Sequence, residues 1–364
     1  MSTITQYLSI WKSAPRFRLS ILVISGLTIF LLWMIVISVG IGAVSISPLQ
    51  VLAILLDQIG ISTSWSFEAV QQAILLNIRL PRIILAVLIG AALAVSGASM
   101  QGLFRNPLAD PGLIGVSSGA ALATAVAMVI LSSITSPVID FLGTALLPLA
   151  AFVGGTTATI MVYQLSTKNG KTNVATMLLA GIAINAMANA MIGFMIFLAN
   201  DDQLRDLTFW TLGSLGGAMW SSVWVILPFL VAAMIFLPRL SRGLNAILLG
   251  ESEAKHLGVR VERLKKMIIV FVGLVVGAAV SVSGVIGFVG LVVPHILRLW
   301  IGPDHRFLIP GSAILGGLLL LSSDLLARTI VAPAELPIGV ITAFIGAPFF
   351  LWLLLRNREF GGYL

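Results

Sequence analysis

The feature that most constrains this chain is a series of long apolar stretches that contain no charged residue. The first covers residues 19–41, and stretches of similar length follow almost to the C-terminus. A helix that crosses the apolar core of a lipid bilayer needs about 20 such residues. Only 10% of the residues are charged, whereas a soluble domain carries about 25%. The sequence therefore predicts an all-α, polytopic membrane protein and argues against a soluble enzyme or a nucleic-acid-binding protein.

These stretches predict ten transmembrane helices. The run at 267–300 is too long for one span and divides near Gly287, because glycines there favour a reversal of the chain. The first stretch follows a basic N-terminal segment but lacks a small-residue cleavage site, so we expect a retained span. Residues 209–219 are too short to cross and are predicted as a short outer helix. The other predicted spans are residues 19–41, 83–103, 113–132, 143–165, 174–199, 220–237, 307–327 and 337–355.

The distribution of basic residues predicts the orientation of these helices. With the N-terminus inside, 17 of the 21 Lys and Arg residues lie on the inner side. The acidic residues divide about evenly, so the bias follows the rule for Lys and Arg and is not a net-charge effect. Ten spans then place both termini in the cytoplasm. The net charge of +7 needs no nucleic-acid partner to explain it.

A short motif occurs twice in the chain. GAALAVSG at residues 90–97 recurs as GAAVSVSG at residues 277–284, and Pro107 and Pro294 are separated by the same offset. In the predicted topology one copy runs inward and the other outward, which indicates an inverted internal repeat of the kind found in transporters. Close packing of helices through small residues is an alternative explanation for the glycines, whatever the function.

The longest inner connection, residues 239–266, combines many charges with two apolar elements at 244–249 and 257–259. Gly250 and Gly258 separate these elements. An ordinary basic loop would explain the charges, but it would not explain apolar faces held at the membrane surface. The pattern therefore predicts a docking surface for a partner protein.

Four arginines are predicted on the outer side, where the orientation rule disfavours them, and three of these lie at the ends of spans. Arg79 and Arg82 flank the start of the second span, and Arg328 lies near the end of the ninth. Snorkelling of the side chains is one explanation, and an ion pair with Asp324, one helical turn before Arg328, is another for that residue. A third is that they meet carboxylates on an external protein.

Other patterns do not predict chemistry. The GVSSG stretch at residues 115–119 fits a nucleophile elbow, but it opens an apolar helix and has no histidine base nearby. Gly170-Lys171-Thr172 lacks the first glycine of a phosphate loop, because Leu165 occupies that position. The three histidines have no metal-ligand spacing, and the chain has no cysteine. We expect no catalytic residue, metal or cofactor in this chain.

Four stretches resemble the permease subunits of type II ABC importers for iron siderophores, haem and cobalamin, the FecCD type. They are RLPRIILAVLIGAALAVSGASMQGLFRNPLADPGLIGVSSGA (79–120), LGESEAKHLGV (249–259), GFVGLVVPHILRL (287–299) and ELPIGVITAFIGAPFFLWLL (335–354). The resemblance covers nearly the whole chain after residue 45. It implies a pair of permeases, identical or paralogous, two cytoplasmic ATPase subunits that bind ATP and Mg²⁺, and an external substrate-binding protein.

The resemblance also implies roles for individual residues. Arg79, Arg82 and Arg328 match arginines that pair with glutamates of the binding protein. The connection at 166–176 resembles an inner gate. The coupling elements that contact the ATPase are matched by Leu244, Leu249, Glu251, Ala254, Leu257 and Gly258. The candidate wall and gate residues of the pathway, for which ordinary helix packing is an equal alternative, are Asn185, Asn189, Met191, Met195, Phe209 and Trp210.

We therefore expect a single transmembrane permease domain, residues 1–364, with a cytoplasmic coupling loop at 239–266, in a bacterial plasma (inner) membrane. The expected cargo is an iron chelate, a ferric siderophore first, with haem or cobalamin as alternatives. A secondary transporter driven by an ion gradient is a rival, but such carriers commonly place carboxylates inside the membrane, and here Asp324 alone lies within a predicted span. A membrane scaffold is a further alternative, which the repeat disfavours.

Overall fold

The computed structural model describes residues 15–359 except positions 43, 62, 132–141 and 333. Both chain termini, which are predicted to be cytoplasmic, lie outside the described residues. The predicted end of the third span, at position 132, also lies outside them. In chain order the helices are α1 (Pro15–Gly40), α2 (Pro48–Asp57), α3 (Ala69–Ile74), α4 (Leu80–Phe104), α5 (Val116–Val129), α6 (Leu146–Ser166), α7 (Val174–Leu198), α8 (Asp201–Thr211), α9 (Trp220–Leu248), α10 (Glu251–His256), α11 (Val261–Ser283), α12 (Val289–Ile301), α13 (His305–Ala327) and α14 (Ile338–Glu359).

Short irregular elements connect some of these helices. A π-helical turn, Leu75–Arg79, joins α3 to α4, and 3-10 turns lie at Pro111–Ile114 and Gly143–Ala145. Two strands, β1 (Thr167–Lys168) and β2 (Lys171–Thr172), form an antiparallel hairpin between α6 and α7. Asn169 and Gly170 both have positive φ, which is the backbone that a tight two-residue hairpin turn requires.

Each of the ten predicted spans coincides with a helix, and the all-α polytopic fold is confirmed. Within the described residues, seven helices are long and apolar enough to cross a membrane. The spans on α5, α12 and α14 are shorter apolar helices. The predicted division near Gly287 is also present, because α11 ends at Ser283 and α12 begins at Val289.

Helix α4 lies at the centre of the bundle, in contact with α9, α11, α12 and α13. A Cβ atom added at Gly90 would lie 2.2 Å from the carbonyl oxygen of Gly316, and one added at Gly97 would lie 1.8 Å from that of Gly290. These glycines are therefore needed for direct backbone contact between helices. The two copies of the repeated motif lie on α4 and α11, which pack together.

Two predicted boundaries are wrong. The short outer helix is α8 at Asp201–Thr211, ahead of the predicted 209–219. Asn200 and Gln203 form a capping box that starts the helix early, and Gly213, with φ of 72°, follows its end. The sixth span, predicted to end at 237, continues as α9 to Leu248, because Pro238 is accommodated inside the helix. Much of the predicted inner loop is thus helical.

Candidate functional site

At the predicted outer end of α4, Arg82 is the centre of a buried ion network. Its Nε donates to Asp324 Oδ1 at 2.9 Å, and its Nη1 donates to Glu335 Oε1 at 2.9 Å. Arg82 and Asp324 are buried, whereas the Glu335 side chain is 44% exposed. The network joins α4, α13 and the segment before α14. Burying these charges is tolerable because each is paired and hydrogen-bonded.

The other two outer arginines cap the C-terminal end of α1. Arg79 is buried and donates to the carbonyl oxygens of Val39 at 2.7 Å and Gly40 at 3.2 Å. Arg328 Nη2 donates to the carbonyl oxygen of Ser38 at 2.8 Å. Carbonyls at the end of a helix have no partner within that helix, so these guanidinium groups satisfy them.

All three predicted docking arginines therefore have partners inside the chain. The expected pair between Asp324 and Arg328 is present, with 3.6 Å between Asp324 Oδ2 and Arg328 Nε. Contact with a binding protein stays a prediction for these residues. Apart from that pair, their internal contacts, which fix α1, α4 and α13 to one another, were not anticipated from the sequence alone.

The predicted pathway residues on α7 do not share one environment. Asn189 and Met191 are exposed on the single chain. Asn185 is half-buried, donates to the carbonyl oxygen of Gly112 at 3.2 Å and accepts from Ser118, so it ties α7 to α5. Met195 is buried in a small apolar cluster, as the packing alternative predicts, and its assignment as a wall residue stays a prediction. Packing therefore explains Asn185 and Met195, whereas Asn189 and Met191 stay exposed.

The predicted gate residues Phe209 and Trp210 lie on α8 and line a cavity of about 660 Å³. The cavity is lined by further residues of α8, including the charged Asp202 and Arg205, and by residues of α5, α6, the segment after α8 and the end of α11. Phe209 is exposed, whereas Trp210 packs against the main core. Their position in the lining of a cavity agrees with a gate, which stays a prediction.

The predicted coupling residues separate into an exposed and a buried set. Leu249 and Leu257, at the two ends of α10, are exposed by 68% and 64%. Leu244 and Ala254 are fully buried and attach the element to the bundle. Gly258, with φ of 81°, ends α10 in a conformation that favours glycine. The short helix thus presents apolar side chains at the end of a rigid support, as a docking element requires.

A buried lysine connects this element to the hairpin at the predicted inner gate. Lys265 on α11 is 2% exposed, and its Nζ lies 2.8 Å from the carboxylate of Glu251, the first residue of α10. The same Nζ donates to the carbonyl oxygen of Thr172 in β2 at 2.9 Å and lies 3.5 Å from Glu262. Glu262 in turn accepts the backbone N–H of Thr172 at 2.9 Å.

This cluster joins the coupling helix directly to the residue before the cap of α7. Sequence reasoning included Glu251 for its place in the loop and missed Lys265, Glu262 and Thr172. Two signals were available, namely the i,i+3 spacing of Glu262 and Lys265 on one helix and the Asn169-Gly170 pair, which predicts a hairpin turn.

A second contact fixes the end of α9, beside the coupling helix. Asn245 Nδ2 donates to Asp304 Oδ1 at 2.7 Å, and Asn245 Oδ1 accepts the backbone N–H of His305 at 3.0 Å. Burial alone would raise the pKa of Asp304, but hydrogen bonds from Arg306 outweigh it, with a smaller contribution from Asn245, and lower the pKa. Asp304 also caps the N-terminus of α13, where a negative charge is favourable.

A family model described as the FecCD transport family matches residues 29–356 of this chain. The hemin transport system permease protein HmuU of Yersinia pestis is 50% identical over 290 residues, which are 78% of this chain and 84% of that protein. The cobalamin import system permease protein BtuC of Halobacterium salinarum is 45% identical over 288 residues, 79% of this chain and 74% of that protein.

A solved structure supports the same relationship at the level of the fold. It is described as an inward-facing conformation of an ABC transporter assigned to the metal-chelate type. The TM-score is 0.78 and the sequence identity is 31%, with 92% of this chain and 98% of that chain covered.

Proposed function

Because the chain belongs to the FecCD transport family, whose members are permease subunits of ABC importers, we propose that it carries a metal chelate across the membrane. The chain is a transport subunit and not an enzyme, and a separate ATPase hydrolyses ATP. We propose one permease domain over residues 1–364, with residues 239–266 as its coupling loop. The observation that carries the proposal is similarity along most of the chain to a hemin permease at 50% identity.

The cargo we propose is a metal chelate, with an iron chelate first. Haem is the first candidate because the HmuU relative is named for hemin. The ferric siderophore expected from the sequence is the second, and cobalamin (vitamin B12), named in several further relatives, is the third. The exposed faces of α7 and α8 include methionine, asparagine and phenylalanine side chains, which suit a bulky chelate that is passed on without tight binding.

The mechanism we propose follows from the two ends of the bundle. A binding protein delivers the chelate at the outer face, near the network of Arg82. ATP binding closes the two ATPase subunits on α10, and the paired permeases rock between outward-open and inward-open states. The contacts of Lys265 and Asn245 support this role, because they make α10 rigid with respect to the hairpin and α13.

An ion-gradient carrier is not supported. Asp324 is the acidic residue within a span on which such coupling would depend, and it is already paired with Arg82. The family relationship instead favours coupling to ATP.

The test is uptake into vesicles that contain this chain and its partner ATPase, with the binding protein added at the outer face. Haem, ferric siderophores and cobalamin are offered separately, with ATP or with ADP inside. We expect ATP-dependent uptake of one class of cargo. Control vesicles receive an ion gradient without ATP, and uptake there would refute the proposal. Co-purification of the ATPase without uptake of any cargo would reject the three chelates but retain the importer.

A further inference from the structure

Two adjoining clefts at the membrane-surface end of α9 and α11 are lined by arginines. The first, of about 250 Å³, is formed by Arg239, Arg260 and Arg263 above an apolar floor that includes Leu264 and Met267. The second, of about 420 Å³, is formed by Arg239, Arg242 and Arg306. Arg239 belongs to both, so the two clefts make one basic surface, which we call the arginine cleft.

The positive charge of the arginine cleft is largely uncompensated. Arg306 is paired with Asp304 at 2.6 Å. Arg239, Arg242, Arg260 and Arg263 are exposed, and within the described part of the chain none of them forms an ion pair with a carboxylate. Two nearby carboxylates, Glu251 and Glu262, are held by Lys265 instead.

The depth of the arginine cleft matches the headgroup layer of the bilayer. Arg239 lies two residues after the apolar stretch of α9, and Met267 lies where the apolar stretch of α11 begins. On its other side the arginine cleft adjoins the coupling helix, because Val259, which lines the cleft, donates its backbone N–H to the carbonyl oxygen of Ala254 in α10 at 2.9 Å. The cleft therefore lies between the apolar layer and α10.

Apolar side chains continue from the arginine cleft towards the bilayer interior. Ile235 and Phe236 on α9 are exposed by 45% and 42%, about one turn before Arg239. Val270 on α11 is exposed by 46%, about one turn after Met267. A ligand that fits this arrangement has a negative phosphate at one end and hydrocarbon chains at the other. Guanidinium groups are well suited to phosphate because they donate several hydrogen bonds in a planar fork.

We propose that the arginine cleft binds the headgroup of an anionic phospholipid, with the acyl chains lying along Ile235, Phe236 and Val270. A basic pocket between transmembrane helices at the membrane surface is the arrangement expected for such recognition. The bound lipid bridges the end of α9 and the start of α11, the two helices that carry α10 between them.

The test uses native mass spectrometry of the purified full-length chain in detergent, titrated separately with dioleoylphosphatidylglycerol and dioleoylphosphatidylcholine. The test variant combines Arg239→Gln, Arg260→Gln and Arg263→Gln. The control variant removes three exposed basic charges from the same predicted side but away from the cleft, with Arg105→Gln, Lys168→Gln and Lys171→Gln. Each basic residue near an anionic lipid contributes roughly 1 kcal/mol, so three losses correspond to about 100-fold in affinity.

We expect the wild type and the control variant to bind phosphatidylglycerol more tightly than phosphatidylcholine, and the test variant to lose this preference. Equal loss in the control variant, or no preference in the wild type, would overturn the proposal. Full competition by inorganic phosphate would show a free-anion site instead. If the test variant has a lower melting temperature in phosphatidylcholine, the Arg260→Gln, Arg263→Gln pair replaces it, with an expected loss of at least tenfold.

Discussion

Replacement of Lys265 by methionine tests the link between the coupling helix and the hairpin. Methionine keeps the length and the apolar stem of the side chain but removes the ammonium group. The variant loses two charge-assisted hydrogen bonds, to Glu251 at 2.8 Å and to the carbonyl oxygen of Thr172 at 2.9 Å. Such bonds are worth about 1.5–3 kcal/mol each.

The expected cost is smaller than that sum. Glu251 and Glu262 side chains are 34% and 32% exposed, so water replaces part of the lost interaction. The breaking of a fully buried pair costs about 3–5 kcal/mol, and we therefore expect Lys265→Met to lower the free energy of unfolding by about 2–4 kcal/mol. Lys266→Met is the matched control, because Lys266 is the neighbouring residue and is exposed. Its expected effect is below about 0.5 kcal/mol.

Unfolding of both variants in detergent, followed by circular dichroism, measures these changes. A double-mutant cycle with Glu251→Gln isolates the pair, for which we expect a coupling energy of about 1–3 kcal/mol. In vesicles with the ATPase, we expect Lys265→Met to transport less cargo per ATP hydrolysed, and Lys265→Arg to restore part of the ratio. Equal stability of Lys265→Met and Lys266→Met, together with a coupling energy near zero, would refute the reasoning.

Three further predictions concern backbone contacts and charge. Gly97→Ala should lower the melting temperature and the yield of folded protein, because the added Cβ would lie 1.8 Å from the carbonyl oxygen of Gly290. Gly26→Ala is the control, since no atom lies within 4 Å of its Cβ and no such effect is expected. Equal melting temperatures of the two variants would contradict the helix contact. Gly258→Val should reduce the cargo transported per ATP hydrolysed, because the backbone φ of 81° strains a β-branched residue. Gly258→Asn should transport normally, because asparagine tolerates a positive φ. Normal coupling in both variants would remove Gly258 from the coupling element. Hydrogen bonds lower the pKa of Asp304 in the folded protein, so its contribution to stability is present above the ordinary carboxyl pKa and is lost as the pH falls below about 4. Between roughly pH 5 and pH 3, the melting temperature of the wild type should therefore fall more steeply than that of Asp304→Asn.

The helices were predictable from the sequence because the bilayer constrains it so strongly. A chain that crosses lipid must satisfy its backbone hydrogen bonds within each span, so apolar length alone identifies the helices. The same rule carries no information where the chain leaves the bilayer. There the start of α8 is determined by a local capping box, and α9 continues through Pro238 to Leu248. Predictions from apolar length misplaced both boundaries.

The sequence predicted at which end of the bundle each candidate residue lies, but it did not predict the contacts of these residues. Residue type and predicted side placed Arg82, Leu249 and Phe209 at the ends of helices, where contact with partners stays a prediction. Whether a side chain faces the partner or the interior depends on neighbours far along the chain, since Arg82 and Glu335 are 253 residues apart. Met191 and Met195 were likewise predicted together as candidate wall residues, although α8 and α5 cover Met195 and leave Met191 exposed.

The outer arginines show how one pattern can have two causes. Their retention against the orientation rule requires a counter-charge, and the structure supplies it from Asp324, Glu335 and the carbonyls at the end of α1. Charge reversal of Arg82 would remove the hydrogen-bonded partner of the buried Asp324, put a like charge beside it and leave it only the longer pair with Arg328 at 3.6 Å. Breaking a buried pair costs about 3–5 kcal/mol before any partner is involved. Weak docking of such a variant would therefore report on the fold as much as on the interface. Glu335 is the exposed carboxylate of the network, and Glu335→Gln leaves Arg82 paired with Asp324. This variant therefore separates the two causes, because it changes the charge at the surface expected to meet a binding protein and keeps the buried ion pair.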